Sequence, residues 1–182
     1  MIREEFLLEK FKEKSERYAE NHKQFFKDPS TGKVPSFKIA DNLYYVGDAY
    51  VCIHLIDTGD GLILIDSGYL GATHLLVDSI WRAGFDPKNV KWIIHTHGHS
   101  DHFGASDEFR IMYGTKLAIS RADGETLKKR TDRCLNNSAH PFAKIPEFDY
   151  EIEDGEIFEL GNVKIRCVLT PGHWALNTTA FF

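Results

Sequence analysis

Three observations predict an α/β fold. Short apolar runs rich in β-branched residues, among them Leu62–Ile65 and Val90–Ile94, alternate with segments of helical period such as residues 72–83. Gly, Pro, Asp and Asn bound these runs, as turn chemistry requires. A cluster of metal-ligand side chains, His97-Gly98-His99-Ser100-Asp101-His102, follows directly on one of the buried runs. In open α/β sheets, ligand sites collect beyond the C-terminal ends of strands.

The elements follow in order. Residues 2–26 read as an amphipathic helix, with Leu7, Phe11, Tyr18, His22 and Phe25 at 3- and 4-residue spacing, interrupted at Ser15. That stripe either packs on its own domain, the simpler expectation, or pairs with a second subunit; His22 reads as a packed histidine. Asp28-Pro29-Ser30-Thr31-Gly32 is a connector, so residues 1–36 form an N-terminal helix and linker ahead of a domain over 37–182. Strands are expected at 37–40, 43–46, 51–56 and 62–65, with Asp60-Gly61 turning the last pair. A helix over 72–83 stops at Gly84. The strand at 90–94, the His-rich loop, a helix over 105–113, a strand over 117–120 and a short helix over 122–129 come next. Residues 130–148 carry Pro141 and Pro146 and no clean period, as in a binding loop beside a site. His140 and Phe142 there, and Trp174 further on, are candidates to line a substrate pocket. A hairpin over 150–168 leads to Thr170-Pro171-Gly172-His173.

The spacing of the cluster carries the chemistry. On a helix, His97 and His99 would lie ~200° apart, at ~100° per residue. On an extended segment, i and i+2 share a face and can converge on one ion. His173 occupies another strand exit, on a turn fixed by Pro171 and Gly172. Three neutral imidazoles with an open fourth position make a catalytic type of zinc site, which brings the pKa of bound water to about 7. Asp101 and His102 carry the chain toward a second position, where the Asp101 carboxylate can orient a nucleophile. His95 reads as a packed or supporting group, and His54 and His74 as ordinary.

Composition narrows the class. A chain of 182 residues, 42% hydrophobic and 27% charged, supports one sizeable core. A formal charge of −5 argues against a nucleic-acid surface, which needs a concentrated basic face. No run has the apolar length of a membrane span. Arg3, Glu4, Glu5, Glu9 and Lys10 leave no apolar core for a signal peptide, so the cytoplasm is the default compartment, or the periplasm or exterior if a leader has been removed. Cys52, Cys134 and Cys167 are odd in number and far apart, against a disulfide framework; Cys52 and Cys167 are expected as buried thiols in strands.

The run Ile93-Ile94-His95-Thr96-His97-Gly98-His99-Ser100-Asp101-His102-Phe103-Gly104-Ala105 resembles the signature of the metallo-β-lactamase superfamily. Leu62-Ile63-Leu64-Ile65-Asp66-Ser67-Gly68 is similar to that family's earlier strand-and-Asp motif, and Thr170-Pro171-Gly172-His173 to its third. Residues 39–47, 84–87 and 154–158 look closest to the third subclass of metallo-β-lactamases. The resemblance implies an αββα sandwich of two similar halves with a metal centre between them. It implies His97, His99 and His173 at one zinc position and Asp101 and His102 at a second, with Asp66 and Thr96 supporting the ligands. The activity implied is zinc-dependent hydrolysis, by metal-bound hydroxide, of a small-molecule β-lactam, thioester, lactone or related ester or amide.

The sequence also departs from the family. Relatives continue past the third motif to a bridging Asp and a final ligand His, whereas this one ends at Thr178-Thr179-Ala180-Phe181-Phe182. The expectation is the first half of the sandwich and the start of the second. That is either a piece of a longer enzyme, holding at most one metal tightly and of weak or no activity, or a homo-oligomer covering the apolar terminal strand or the N-terminal helix. An iron oxygenase of the same fold, resembling persulfide dioxygenases, and a non-catalytic remnant stay open as alternatives.

Overall fold

The computed structural model describes residues 2–129, 144–172 and 178–181, the first and last four of them by backbone alone. The expected positions of His140, Phe142, His173 and Trp174 lie outside the described residues, as does Cys134. A long helix, α1 (Ile2–Lys27), leads into β1 (Phe37–Ala40), β2 (Leu43–Tyr45), β3 (His54–Asp57) and β4 (Leu62–Ile65). Then come α2 (Thr73–Arg82), β5 (Val90–Ile94), α3 (Ser100–Phe103), α4 (Ser106–Tyr113), β6 (Lys116–Ser120) and α5 (Arg121–Lys129). The remaining elements are β7 (Tyr150–Ile152), β8 (Ile157–Leu160), β9 (Val163–Leu169) and β10 (Thr178–Phe181).

Strands β1 to β7 form one sheet in chain order, and β10, β9 and β8 form a second. The first sheet is antiparallel from β1 to β4 and parallel from β4 to β7. All four residues of β4 are buried, as parallel strands covered on both faces must be. Alternation along the strands then sorts two cores. Leu55, Leu64, Ile93 and Leu117 pack with Leu76 and Ile80 of α2 and Phe109 of α4. Their neighbours Ile56, Ile63, Ile65 and Ile94 pack with Phe158, Val163, Ile165 and Cys167 of the second sheet. Helix, sheet and sheet are thus three layers of an α/β sandwich.

Several boundaries differ from the sequence-based expectation, each for a local reason. Strand β3 starts at His54, because the Asp48 carboxylate accepts the backbone N–H groups of Tyr50 and Val51 at 2.7 and 2.8 Å and holds a turn there. Cys52 is consequently exposed, while Cys167 is buried as expected. Residues 150–168 are not one hairpin. Strand β7 completes the parallel sheet beside β6, and the hairpin is β8–β9. Gly84 does end the helix before it, at φ 92°, in the left-handed region open to glycine.

Helix α1 docks through its last turns and no further. Phe25 is buried, Tyr18 meets Tyr50 edge-on with ring centroids 5.8 Å apart, and His22 Nε2 lies 2.9 Å from the Tyr69 hydroxyl. Phe6, Leu7, Leu8 and Phe11 are exposed. Phe25→Ala is therefore expected to cost about 3–4 kcal/mol in denaturant unfolding, the usual loss for a fully buried Phe, and Phe11→Ala less than about 0.5 kcal/mol. Equal costs at the two positions would contradict this division of the helix.

Candidate metal centre

The site is assembled where β4 and β5 end side by side. Their parallel register pairs Ile65 with Ile94, so Asp66 and His95 leave the sheet together. Backbone bonds continue the pairing past the strands: Asp66 N–H donates to Ile94 O and His95 N–H to Ala118 O, each at 2.9 Å. The chain after β5 is not extended, as the spacing alone implied. It bends through residues 96–98, and α3 begins at Ser100 with His99 as its N-cap. Asp101 and His102 therefore sit on a single helical turn, absent from the sequence reading because four residues carry no period.

Asp66 organises the candidate ligands. It is 3% exposed and adopts φ 64°, a conformation that among non-glycine residues is most tolerated by Asn and Asp. One carboxylate oxygen accepts the Thr96 backbone N–H at 2.8 Å. The other accepts the Thr96 hydroxyl at 2.7 Å and His102 Nδ1–H at 2.8 Å. The Thr96 proton is thus committed to Asp66, so Thr96 Oγ1 accepts from His97 Nδ1–H at 3.1 Å. Asp66 thereby fixes two imidazole tautomers at once, His102 directly and His97 through Thr96, and leaves Nε2 of each as the lone-pair nitrogen.

His97 Nε2 faces His99 Nδ1 at 2.9 Å, and the His97 and His102 ring centroids are 4.0 Å apart. Asp101 Oδ2 lies 3.6 Å from His102 Nε2. Burial opposes charge on both Asp66 and His102. The bond between them outweighs it, so the carboxyl is held below its ordinary range and the imidazole above its own. His95 is fully buried, and loss of solvent pushes its pKa down to about 4, a neutral side chain at pH 7.

The structure thus brings His97, His99, Asp101 and His102 to one loop, with Asp66 and Thr96 supporting them. Among the described residues, no three His, Cys, Asp or Glu side chains stand in metal-holding geometry. Two nitrogens on one tetrahedral zinc, at Zn–N of about 2.0–2.1 Å, lie about 3.3–3.4 Å apart, and here a hydrogen bond holds those of His97 and His99 at 2.9 Å. The donor chemistry fits zinc: imidazoles with tautomers set by buried partners, and an adjacent carboxylate. Sequence reasoning gave no role to Ser67, whose backbone N–H donates to His102 O at 2.8 Å. Its place beside Asp66, in the motif preceding Gly68, was the available signal.

Fold and loop together define an α/β sandwich with a His-x-His-x-Asp-His loop at the strand ends. The model of the metallo-β-lactamase superfamily matches residues 46–178, and the chain belongs to that superfamily. FEZ-1 metallo-β-lactamase from Legionella gormanii superposes with a TM-score of 0.75 at 30% identity, over 82% of this chain and 58% of that one. BJP-1, a subclass B3 metallo-β-lactamase of Bradyrhizobium japonicum, gives 0.72 at 27% identity, over 81% and 56%. A β-lactamase hydrolase-like protein of Xylella fastidiosa (strain 9a5c) is 32% identical over 90 residues, 50% of this chain and 20% of the relative. The chain spans little more than half of these solved structures and about a fifth of that curated relative. No helix among the described residues is long and apolar enough to cross a membrane.

Proposed function

We propose that this chain carries the metal-binding half of a zinc-dependent hydrolase site acting on a β-lactam, thioester, lactone or related ester or amide. The observation that carries the reading is the double tautomer control by Asp66, which aims lone-pair nitrogens of His97 and His102 out of one buried carboxylate. Metal-binding imidazoles need such an arrangement, since each must bind in its neutral form with the other nitrogen held. His97 and His99, with His173, would hold one ion, and Asp101 and His102 would contribute to a second position. Zinc bound there supplies Lewis-acid polarisation and a nucleophile at neutral pH.

The chain's own groups have separable tasks in this reading. Asp66 keeps His102 oriented and accepts its Nδ1 proton. Thr96 passes the same constraint to His97. Asp101, partly exposed beside His102, orients the attacking group and holds its proton. The likeness to a subclass B3 metallo-β-lactamase supports β-lactam or similar cyclic amide and ester substrates.

Zinc titration against a chromophoric chelator tests the metal half of the reading. The chain is expected to bind zinc tightly, and His97→Ala/His99→Ala to weaken it by more than about 100-fold, beyond what loss of a supporting residue causes. Undiminished zinc affinity in that double variant would refute it. Stoichiometric iron in the purified chain would point instead to oxygenase chemistry.

A further inference from the structure

His95, Ser106 and Ser67 form a polar line through an otherwise apolar interior, each of them 2% exposed or less. Its direction follows from donor and acceptor chemistry. Ala118 O, a carbonyl, can only accept, so His95 Nδ1 carries the proton and donates to it at 2.8 Å. Neutral His95 then presents Nε2 as an acceptor, which takes the Ser106 hydroxyl proton at 2.7 Å. Ser106 Oγ, its own proton committed, accepts from the Ser67 hydroxyl at 2.8 Å. Ser67 ends the line on His102: its N–H donates to His102 O at 2.8 Å, and its Oγ lies 3.3 Å from the same carbonyl.

The three residues come from three elements, the exits of β5 and β4 and the first residue of α4, and the line begins at a carbonyl of β6. Burying such groups costs stability unless every one is paired, and apolar residues of similar volume would be the simpler filling. What the polar version adds is its end point. Consecutive residues grip His102 at both ends, Asp66 at the imidazole and Ser67 at the carbonyl. Ser67's hydroxyl is in turn held through Ser106 to His95 and the sheet.

We infer that His95 is a positioning residue for His102, acting through Ser106 and Ser67 to fix the backbone from which that imidazole projects. Its consequence for a metal rests on the reading above, but the device itself belongs to the metal-free chain. It places a requirement on position 95 that packing alone would not: an acceptor directed at Ser106.

The test is nitrogen-15 NMR of the histidine side chains in chelator-treated protein, following exchange of the ring N–H protons with water. In the unsubstituted chain, His102 Nδ1–H should exchange slowly because Asp66 holds it. Gln places its amide group where His places Nε2, whereas Asn places it where His has Nδ1. His95→Gln should thus keep the acceptor for Ser106, and His95→Asn should lose it. His102 Nδ1–H exchange is expected to quicken by about 10-fold or more in His95→Asn, through easier local opening, and to stay within about 2-fold in His95→Gln. The His97 Nδ1–H, held by Thr96, should stay within about 2-fold in both.

Ser67→Ala removes the hydroxyl that ties Ser67 to Ser106, leaving the His95–Ser106 bond paired and the Ser67 N–H on His102 O in place, so it carries the test if His95→Asn loses its fold. It too should free His102 selectively. Unchanged His102 exchange in Ser67→Ala, or equal acceleration at His97 and His102, would overturn the inference. Since no metal is present, that failure is distinct from failure of the zinc titration.

Discussion

Asp66→Ala is expected to destabilise the chain by about 3–5 kcal/mol, the cost of breaking a buried charge pair by removing one partner. Three donors lose their acceptor together: the Thr96 N–H, the Thr96 hydroxyl and His102 Nδ1–H. Burial keeps water from replacing the carboxylate fully, so the unmade bonds are paid for in full. The alanine also inherits φ 64°, which a non-glycine residue without a side-chain oxygen tolerates poorly. Asp66→Asn separates these contributions. It keeps the shape and the backbone preference but replaces one acceptor oxygen with a donor, so its amide faces either the Thr96 N–H or both the Thr96 hydroxyl and His102 Nδ1–H. Its cost should be roughly half that of Asp66→Ala, with zinc affinity reduced by about 10–100-fold through misdirected tautomers. Urea unfolding of the metal-free variants measures the first, and chelator competition the second. If both variants unfold within about 1 kcal/mol of the unsubstituted chain, the account of Asp66 as the shared acceptor is wrong.

What could be read from the sequence here was whatever repeats or alternates. The apolar strand at Leu62–Ile65 and the helix ending before Gly84 lie where the sequence places them, and of the stripe on α1 the final members, His22 and Phe25, pack on the domain. Asp66 and Thr96 were legible as supporting residues by their place in the family's motifs. Elements shorter than one period were not legible. Helix α3 has four residues, and β7, at three residues, is defined by its parallel partner β6 rather than by its own pattern. Cys52 looked like a strand residue because the apolar run includes it. A single carboxylate, Asp48, turns the chain there instead, and side-chain capping of this kind overrides periodicity. The His95–Ser106–Ser67 line was illegible for another reason: its members are far apart in sequence, and nothing local announces that they meet. The exposed first turns of α1 show the limit of a clean pattern, since the stripe continues past the point where the domain offers a surface.

Gly104→Val should prove as damaging as any substitution at Asp66, although no polar group is touched. A Cβ at residue 104 would stand 2.1 Å from Leu70 N, 2.3 Å from Tyr69 C and 2.5 Å from Gly68 O. All three are backbone atoms, so no rotamer change relieves them. The backbone at 104 is ordinary helix, φ −61°, which means the glycine is required by proximity and not by conformation. It lets the turn carrying Asp101 and His102 close on the loop carrying Asp66, a closure sealed by Gly104 N–H to Gly68 O and Ser67 N–H to His102 O, both at 2.8 Å. Any side chain must push the two apart by about an ångström to restore normal contact, and overpacking of that kind costs about 3 kcal/mol or more. The same displacement stretches the Asp66–His102 bond, so zinc affinity should fall together with stability. Gly124→Ala is the control, because its Cβ would meet nothing closer than 3.5 Å inside α5. There the loss of unfolded-chain freedom should leave stability unchanged or raise it by up to about 1 kcal/mol. A Gly104→Val chain that melts with the unsubstituted protein and binds zinc as tightly would show that the two segments do not need this contact.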